Sequence, residues 1–147
     1  MKPLDLQSRV LGSFVGLVVG DALGVPVEFC SREELRLSPV TDMIGGGFHG
    51  QPPGTWSDDT SLALATADAL VENGLDLDAI ARNFVSWLYR GEFTPWGNVF
   101  DVGNTTRRAI ERLASGVSPT ESGISTPSNG SLMRILPVAL YLSLIHI

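Results

Sequence analysis

Basic residues are scarce in this chain: ten Lys and Arg stand against sixteen Asp and Glu, for a formal charge of -6 and a pI near 4.7. Non-specific affinity for nucleic acid rests on basic patches, so a general phosphate-backbone binder is excluded. An anionic ligand would have to be met by helix N-termini or by cations. Cysteine is scarcer still. Cys30 alone cannot make an internal disulfide, and no Cys/His cluster has zinc-ligand spacing, which favours a reducing, cytoplasmic setting. Neither His49 nor His146 stands at ligand spacing from another candidate, so neither is assigned a role.

Long apolar runs are missing as well. The most apolar segment, Val10 to Gly20, falls short of the roughly 20 residues that span a bilayer, so no membrane helix is expected. Asp5 in the leading region, and Asp21 where a small neutral cleavage residue belongs, argue against an export signal. The sequence has no G-x-S-x-G elbow, no P-loop, no internal repeat and no low-complexity tract.

What is present is a globular composition, 44% hydrophobic and 18% charged over 147 residues, with helical periodicity and no strict two-residue alternation. An all-α fold is predicted. The first helix, from about Leu4 to Leu23, carries Gly12, Gly16 and Gly20 on one face and reads as a buried central helix that a neighbour approaches closely. Ser31 and Glu34 form a capping box for a short helix that stops before Pro39. The glycine- and proline-rich stretch 39 to 56 is a long loop, expected to be functional.

Further helices are predicted from about Asp58 to Glu72, ending at Asn73-Gly74; from a cap at Asp76 to Gly91; and from about Thr105 to Ala114. A last helix starts near Asn129 and runs through Pro137, which should kink it. The stretch Val138 to Ile147 is nearly all apolar and lacks a C-cap, as at the edge of an incomplete or non-native sequence.

Four segments offer chemistry. In Thr55-Trp56-Ser57-Asp58-Asp59-Thr60, adjacent carboxylates flanked by hydroxyls open a helix after a Pro-Pro-Gly turn. Such oxygens suit magnesium, manganese or calcium, and they equally suit an N-cap followed by acids that answer the helix dipole. Two carboxylates cannot fill an octahedral shell, so metal binding here demands ligands from elsewhere. Asp21 and Glu28 bracket a Gly-Pro break, where a carboxylate held near the core could move a proton or simply cap a turn. Ser128-Asn129-Gly130-Ser131-Leu132-Met133-Arg134 and Gly103-Asn104-Thr105-Thr106 place small residues and open amides at predicted helix starts, fit for phosphate or ribose oxygens or for plain capping. Gly45-Gly46-Gly47-Phe48-His49-Gly50 matches the dinucleotide pattern G-x-G-x-x-G in letters only; with no strand before it and Pro52-Pro53 after it, it is a loop.

Taken in order, G-D-A-L-G-V-P-V-E-F, P-G-T-W-S-D-D-T-S, G-N-T-T-R-R-A and N-G-S-L-M-R resemble the ADP-ribosylglycohydrolase family from about Val10 to Leu140. The resemblance implies an orthogonal helical bundle holding two Mg2+ or Mn2+ ions, and hydrolysis of the bond between ADP-ribose and an arginine, serine or small-molecule acceptor. It implies that Ser57, Asp58 and Asp59 are metal ligands and that Glu28 serves catalysis. It further implies that Asn129, Gly130, Ser131, Met133, Gly103 and Asn104 line the substrate cleft. Partners would be an ADP-ribosylated protein or a small conjugate. The family's second aspartate motif, near its C-terminus, has no counterpart here, so residues 1–147 read as the N-terminal portion of one such domain, inactive alone. A non-catalytic ADP-ribose binder or structural member of the fold, and a metal-dependent nucleotide phosphohydrolase, are the competing readings.

Overall fold

A computed structural model describes residues 5–144. Its elements are α1 (Leu6–Gly24), α2 (Arg32–Leu37), α3 (Asp58–Asn73), α4 (Leu77–Arg90), α5 (Asn104–Ala114) and α6 (Leu136–Leu144), with a 3-10 turn at Val25–Val27. No strand occurs among the described residues; Gly46 and Gln51 form an isolated bridge. The predicted all-α class therefore holds. The chain divides into two compact units, Met1–Ser57 and Asp58–Ile147.

In the first unit, α1 starts where the Asp5 carboxylate accepts from the Ser8 amide at 2.8 Å, satisfying one orphan donor of the first turn. Leu4 lies outside the described residues. Two expectations for this helix fail. With the 3-10 turn it makes a continuous run, Leu6–Val27, of 22 residues that contains an 18-residue window of mean hydropathy 1.9, long and apolar enough by length and composition to cross a bilayer. The break expected at Gly24-Pro26 is only a tightening, because a proline in the first turn of a helical segment has no amide to lose. Nor is α1 a buried central helix among the described residues: only Ala22 is buried, and a Cβ at Gly12, Gly16 or Gly20 would meet nothing within 4 Å. The glycine spacing thus marks a smooth exposed face. The α2 capping box forms as read, with the Ser31 amide donating to Glu34 and the Glu34 amide donating to Ser31 Oγ.

The second unit is built on α3, which packs against both α4 and α6, while α4 also packs against α5. Leu62 and Ala65 of α3, Phe84 and Trp87 of α4 and Ile110 of α5 form its core. The helix ends follow their sequence signals. Asp76 accepts from the amides of Asp78 and Ala79, and Gly91 closes α4 in the left-handed region at φ 70°. Glycine is required at that position, since a Cβ would lie 2.0 Å from the Gly97 carbonyl oxygen.

The last helix departs from expectation. Residues 129–134 are turns, and α6 begins only at Leu136, with Pro137 in its first turn rather than at a kink in its middle. The Asn129 carbonyl accepts from both the Leu132 and Met133 amides, closing a compact turn that does not propagate. Proline at a helix start forfeits no hydrogen bond, so the helix begins where Pro137 is tolerated. His146 and the end of the apolar tail lie outside the described residues.

Candidate functional site

The Pro-Pro-Gly turn delivers the chain into α3. Thr55 is buried, and its hydroxyl and amide both donate to the Pro52 carbonyl, at 2.8 and 3.3 Å. Gly54 supplies the positive φ, 77°, that the turn needs. Ser57 follows, at 7% exposure, held from across the first unit by α1. Its amide donates to Asp21 Oδ2 at 3.0 Å and its hydroxyl donates to Asp21 Oδ1 at 2.7 Å. The two oxygens of one carboxylate thus fix both backbone and side chain of a predicted ligand residue.

At the start of α3, Asp58 is 6% exposed and Asp59 half-buried, with Thr60 fully buried behind them. A carboxylate is seldom so buried without compensation, because its charge loses hydration. Part of that compensation is Arg134. Its guanidinium lies 4.9 Å over the Phe84 ring, and burial pushes its pKa down while the Asp58 charge pulls it up. An arginine stays protonated under such a shift, so a fixed positive charge answers Asp58. Arg134 Nη1 is buried and has no hydrogen-bond partner among the described residues. Hydroxyl and carboxylate oxygens are the hard donors that Mg2+ and Mn2+ take, and the acids at the α3 N-terminus offset the positive end of the helix dipole. Ser57, Asp58 and Asp59 therefore fit part of a divalent-cation shell.

Glu28, just after the 3-10 turn, is hydrogen-bonded through its carboxylate to the His49 ring. His49 is nearly buried and Glu28 about one-third exposed. The loop that carries His49 is tied by the Gly46 amide donating to Gln51 O at 2.8 Å. This loop is not a dinucleotide turn, as predicted; the finding that it places a histidine on Glu28 was not predicted. Phe29, at a left-handed φ of 64°, stacks edge-on with Phe48 at 4.8 Å, and both rings are exposed. A bulky residue held in that region is strained and occurs chiefly where the surroundings impose it.

In the second unit, the 128–134 turn approaches the start of α5. A Cβ on Gly130 would lie 2.7 Å from Thr106 Oγ1, so this close approach needs glycine. Gly103 stands at the N-cap of α5 without a side-chain cap, and Asn104 and Ser131 are exposed. Asn129 is exposed too, whereas Met133 packs on the Leu62–Trp87 core and anchors the turn from beneath. The predicted substrate segments thus meet each other, and Arg134 carries the second of them toward Asp58. A groove of about 790 Å³ elsewhere in this unit, lined by Arg82, Arg90, Val117 and neighbours, includes none of the predicted residues.

An all-helical chain with a hydroxyl-carboxylate cluster opening one helix, a glutamate nearby in sequence and a glycine-serine turn over another helix start has close counterparts among known proteins. Residues 2–145 match the ADP-ribosylglycohydrolase family, and the chain belongs to it. Helix α1 falls inside the match and is part of the shared family domain. The chain is 39% identical over 138 residues to an ADP-ribosylarginine hydrolase, Tri1, of Serratia proteamaculans, covering 90% of this chain and 36% of that protein. It is 38% identical over 140 residues to the ADP-ribosyl-[dinitrogen reductase] glycohydrolase of Rhodospirillum rubrum, covering 92% and 45%. A solved ADP-ribosylglycohydrolase-related protein complex superposes with a TM-score of 0.74 at 40% identity, over 90% of this chain and 42% of that one. The chain therefore spans less than half the length of these relatives.

Proposed function

We propose that the complete protein hydrolyses the glycosidic bond between ADP-ribose and an acceptor side chain, arginine foremost, with two Mg2+ or Mn2+ ions. The observation that carries this reading is the α3 entrance: Asp58, buried to 6% exposure, beside Asp59 and a Ser57 hydroxyl already oriented by a carboxylate. Structural capping alone gives no reason to bury Asp58 or to fix Ser57 from α1. The names of the 38–39% identical relatives support the substrate class.

In this reading Ser57, Asp58 and Asp59 hold one side of the cation pair, and residues outside this chain complete it. Bound divalent cations supply positive charge for the ribose hydroxyls and for the attacking water. Glu28, poised by His49, accepts or donates a proton at the anomeric bond as oxocarbenium character develops. Asn129, Gly130 and Ser131, with Gly103 and Asn104, present amides and polar side chains to the ribose and phosphates, and Met133 holds that turn on the core. The 147 residues form the N-terminal portion of such a domain, act in the cytoplasm and, made alone, bind Mg2+ weakly and release no ADP-ribose.

The test is product analysis. The complete protein, given an ADP-ribosylated arginine substrate and Mn2+, should release free ADP-ribose, and Asp58→Asn should cut the rate by about a hundredfold or more. Release of inorganic phosphate instead, ADP-ribose binding without turnover, or full activity in the Asp58→Asn protein would overturn it.

A further inference from the structure

We infer that Asp21 is a positioning residue for the cation site, acting through Ser57; this rests on the metal-site reading above. The geometry is specific. Both carboxylate oxygens accept from one residue 36 positions away, Oδ1 from the hydroxyl at 2.7 Å and Oδ2 from the amide at 3.0 Å. Each contact has a separate consequence.

The hydroxyl contact decides which way Ser57 Oγ is polarised. A serine hydroxyl has one proton and two lone pairs, and a carboxylate can only accept. With its proton given to Asp21, Ser57 Oγ turns its acceptor side elsewhere and gains negative character, as a cation ligand requires. The amide contact fixes the backbone at the residue that immediately precedes Asp58, so it sets where α3 begins. Outer-shell carboxylates that orient ligand residues in this way typically change cation affinity 10–100-fold when removed. Asp21 itself sits on α1, held by a helix that runs without a break into the turn before Glu28. A tie from α1 to Ser57 therefore also sets the frame in which Glu28 stands.

Asp21→Asn is the informative change because it keeps the shape. The amide group offers one acceptor oxygen and one NH2, so while its oxygen accepts from the Ser57 amide its NH2 can only donate to Ser57 Oγ, which reverses the polarity of that hydroxyl and takes up one of its lone pairs. In the complete protein, Mn2+ binding followed by electron paramagnetic resonance should weaken 10–100-fold in Asp21→Asn. The thermal midpoint without metal should stay within a few degrees of wild type. Asp21→Glu, which keeps two acceptors, should recover part of the affinity. In a Ser57→Ala background, Asp21→Asn should change Mn2+ affinity by less than about twofold, since the hydroxyl is already gone and the Asn oxygen can still accept from the amide of residue 57.

Wild-type affinity in Asp21→Asn, with Asp58→Asn abolishing binding, overturns this inference alone. Equal Mn2+ binding by wild type and Asp58→Asn overturns the metal-site reading and this inference with it. Unfolding of both Asp21 variants without metal, or equal weakening by Asp21→Asn with and without the Ser57→Ala change, makes Asp21 an anchor of the fold and refutes the positioning role.

Discussion

Substituting Gly47 by alanine tests whether the glycine-rich loop is built to hold His49 on Glu28. Gly47 has φ 65°, and a Cβ there would lie 2.1 Å from the Pro26 carbonyl oxygen and 2.7 Å from Pro26 Cα. Those are backbone atoms two residues from Glu28, so no side chain can swing away to relieve the clash. Gly46 is the internal control, with φ 87° and nothing within 4 Å of an added Cβ. Gly46→Ala meets only the left-handed backbone penalty, about 1–2 kcal/mol. Gly47→Ala meets that penalty and must also push the loop away. The push endangers the Gly46–Gln51 bridge and the Glu28–His49 contact, each about 1 kcal/mol. A destabilisation of about 3–4 kcal/mol is expected for Gly47→Ala, roughly 2 kcal/mol beyond Gly46→Ala. Denaturant unfolding of the two variants gives the difference directly, and NMR of the His49 ring should report its release from Glu28 only in Gly47→Ala. Equal stabilities, or an unchanged His49 signal in Gly47→Ala, would refute the tight seating of this loop on Pro26.

Two further outcomes are expected. Trp87, 1% exposed in the core between α3, α4 and α5, should cost about 3–5 kcal/mol as Trp87→Ala, whereas Val71→Ala, at a residue 82% exposed, should change stability by no more than about 0.5 kcal/mol; thermal denaturation checks both. Asp5 and Glu34 have lowered pKa values because the Ser8 amide and the Ser31 side chain, respectively, bond to their charged forms, each with a second bond from the same serine. A depressed folded-state pKa gives stabilisation that is present above the unfolded value and lost as pH falls through the folded one. The Ser8 and Ser31 amide resonances should therefore follow titrations displaced downward from the ordinary values of aspartate and glutamate, and movement centred at or above those values would refute the capping geometry.

The extent to which this chain could be read from its residues depended on how far apart the interacting groups lie. Most helix ends set by a partner within about four residues came through, among them the Ser31–Glu34 box, the Asp76 cap and the glycines at 74 and 91, while the Asp5 cap of α1, three residues from Ser8, was not read as one. Such signals are encoded locally, by capping atoms and permitted φ values. Residues 129–134 misled because the Asn129 carbonyl accepts from the Leu132 and Met133 amides in a turn as it would at a helix start, and Pro137 is equally at ease one residue into a helix. The α1 glycines misled in the other direction, since spacing of four describes one helix face without saying whether anything packs on it.

The candidate site shows the same division more sharply. Ser57, Asp58 and Asp59 were visible because they are neighbours, but what distinguishes them from a helix cap is non-local. Asp21 reaches Ser57 across 36 positions and His49 reaches Glu28 across 21, while Arg134 balances Asp58 from the far end of the chain. No periodicity or spacing rule registers such pairs. Asp21 could be marked only as an acid at a glycine-rich helix end, His49 only as one letter of a glycine-rich loop, and Arg134 only as the last letter of a turn motif. A cap needs nothing beyond its own first turn, whereas a ligand cluster must be oriented and electrically balanced from outside. The α3 entrance has the second kind of surroundings, and that asymmetry is the physical ground on which a ligand role is proposed for its two aspartates in place of capping alone.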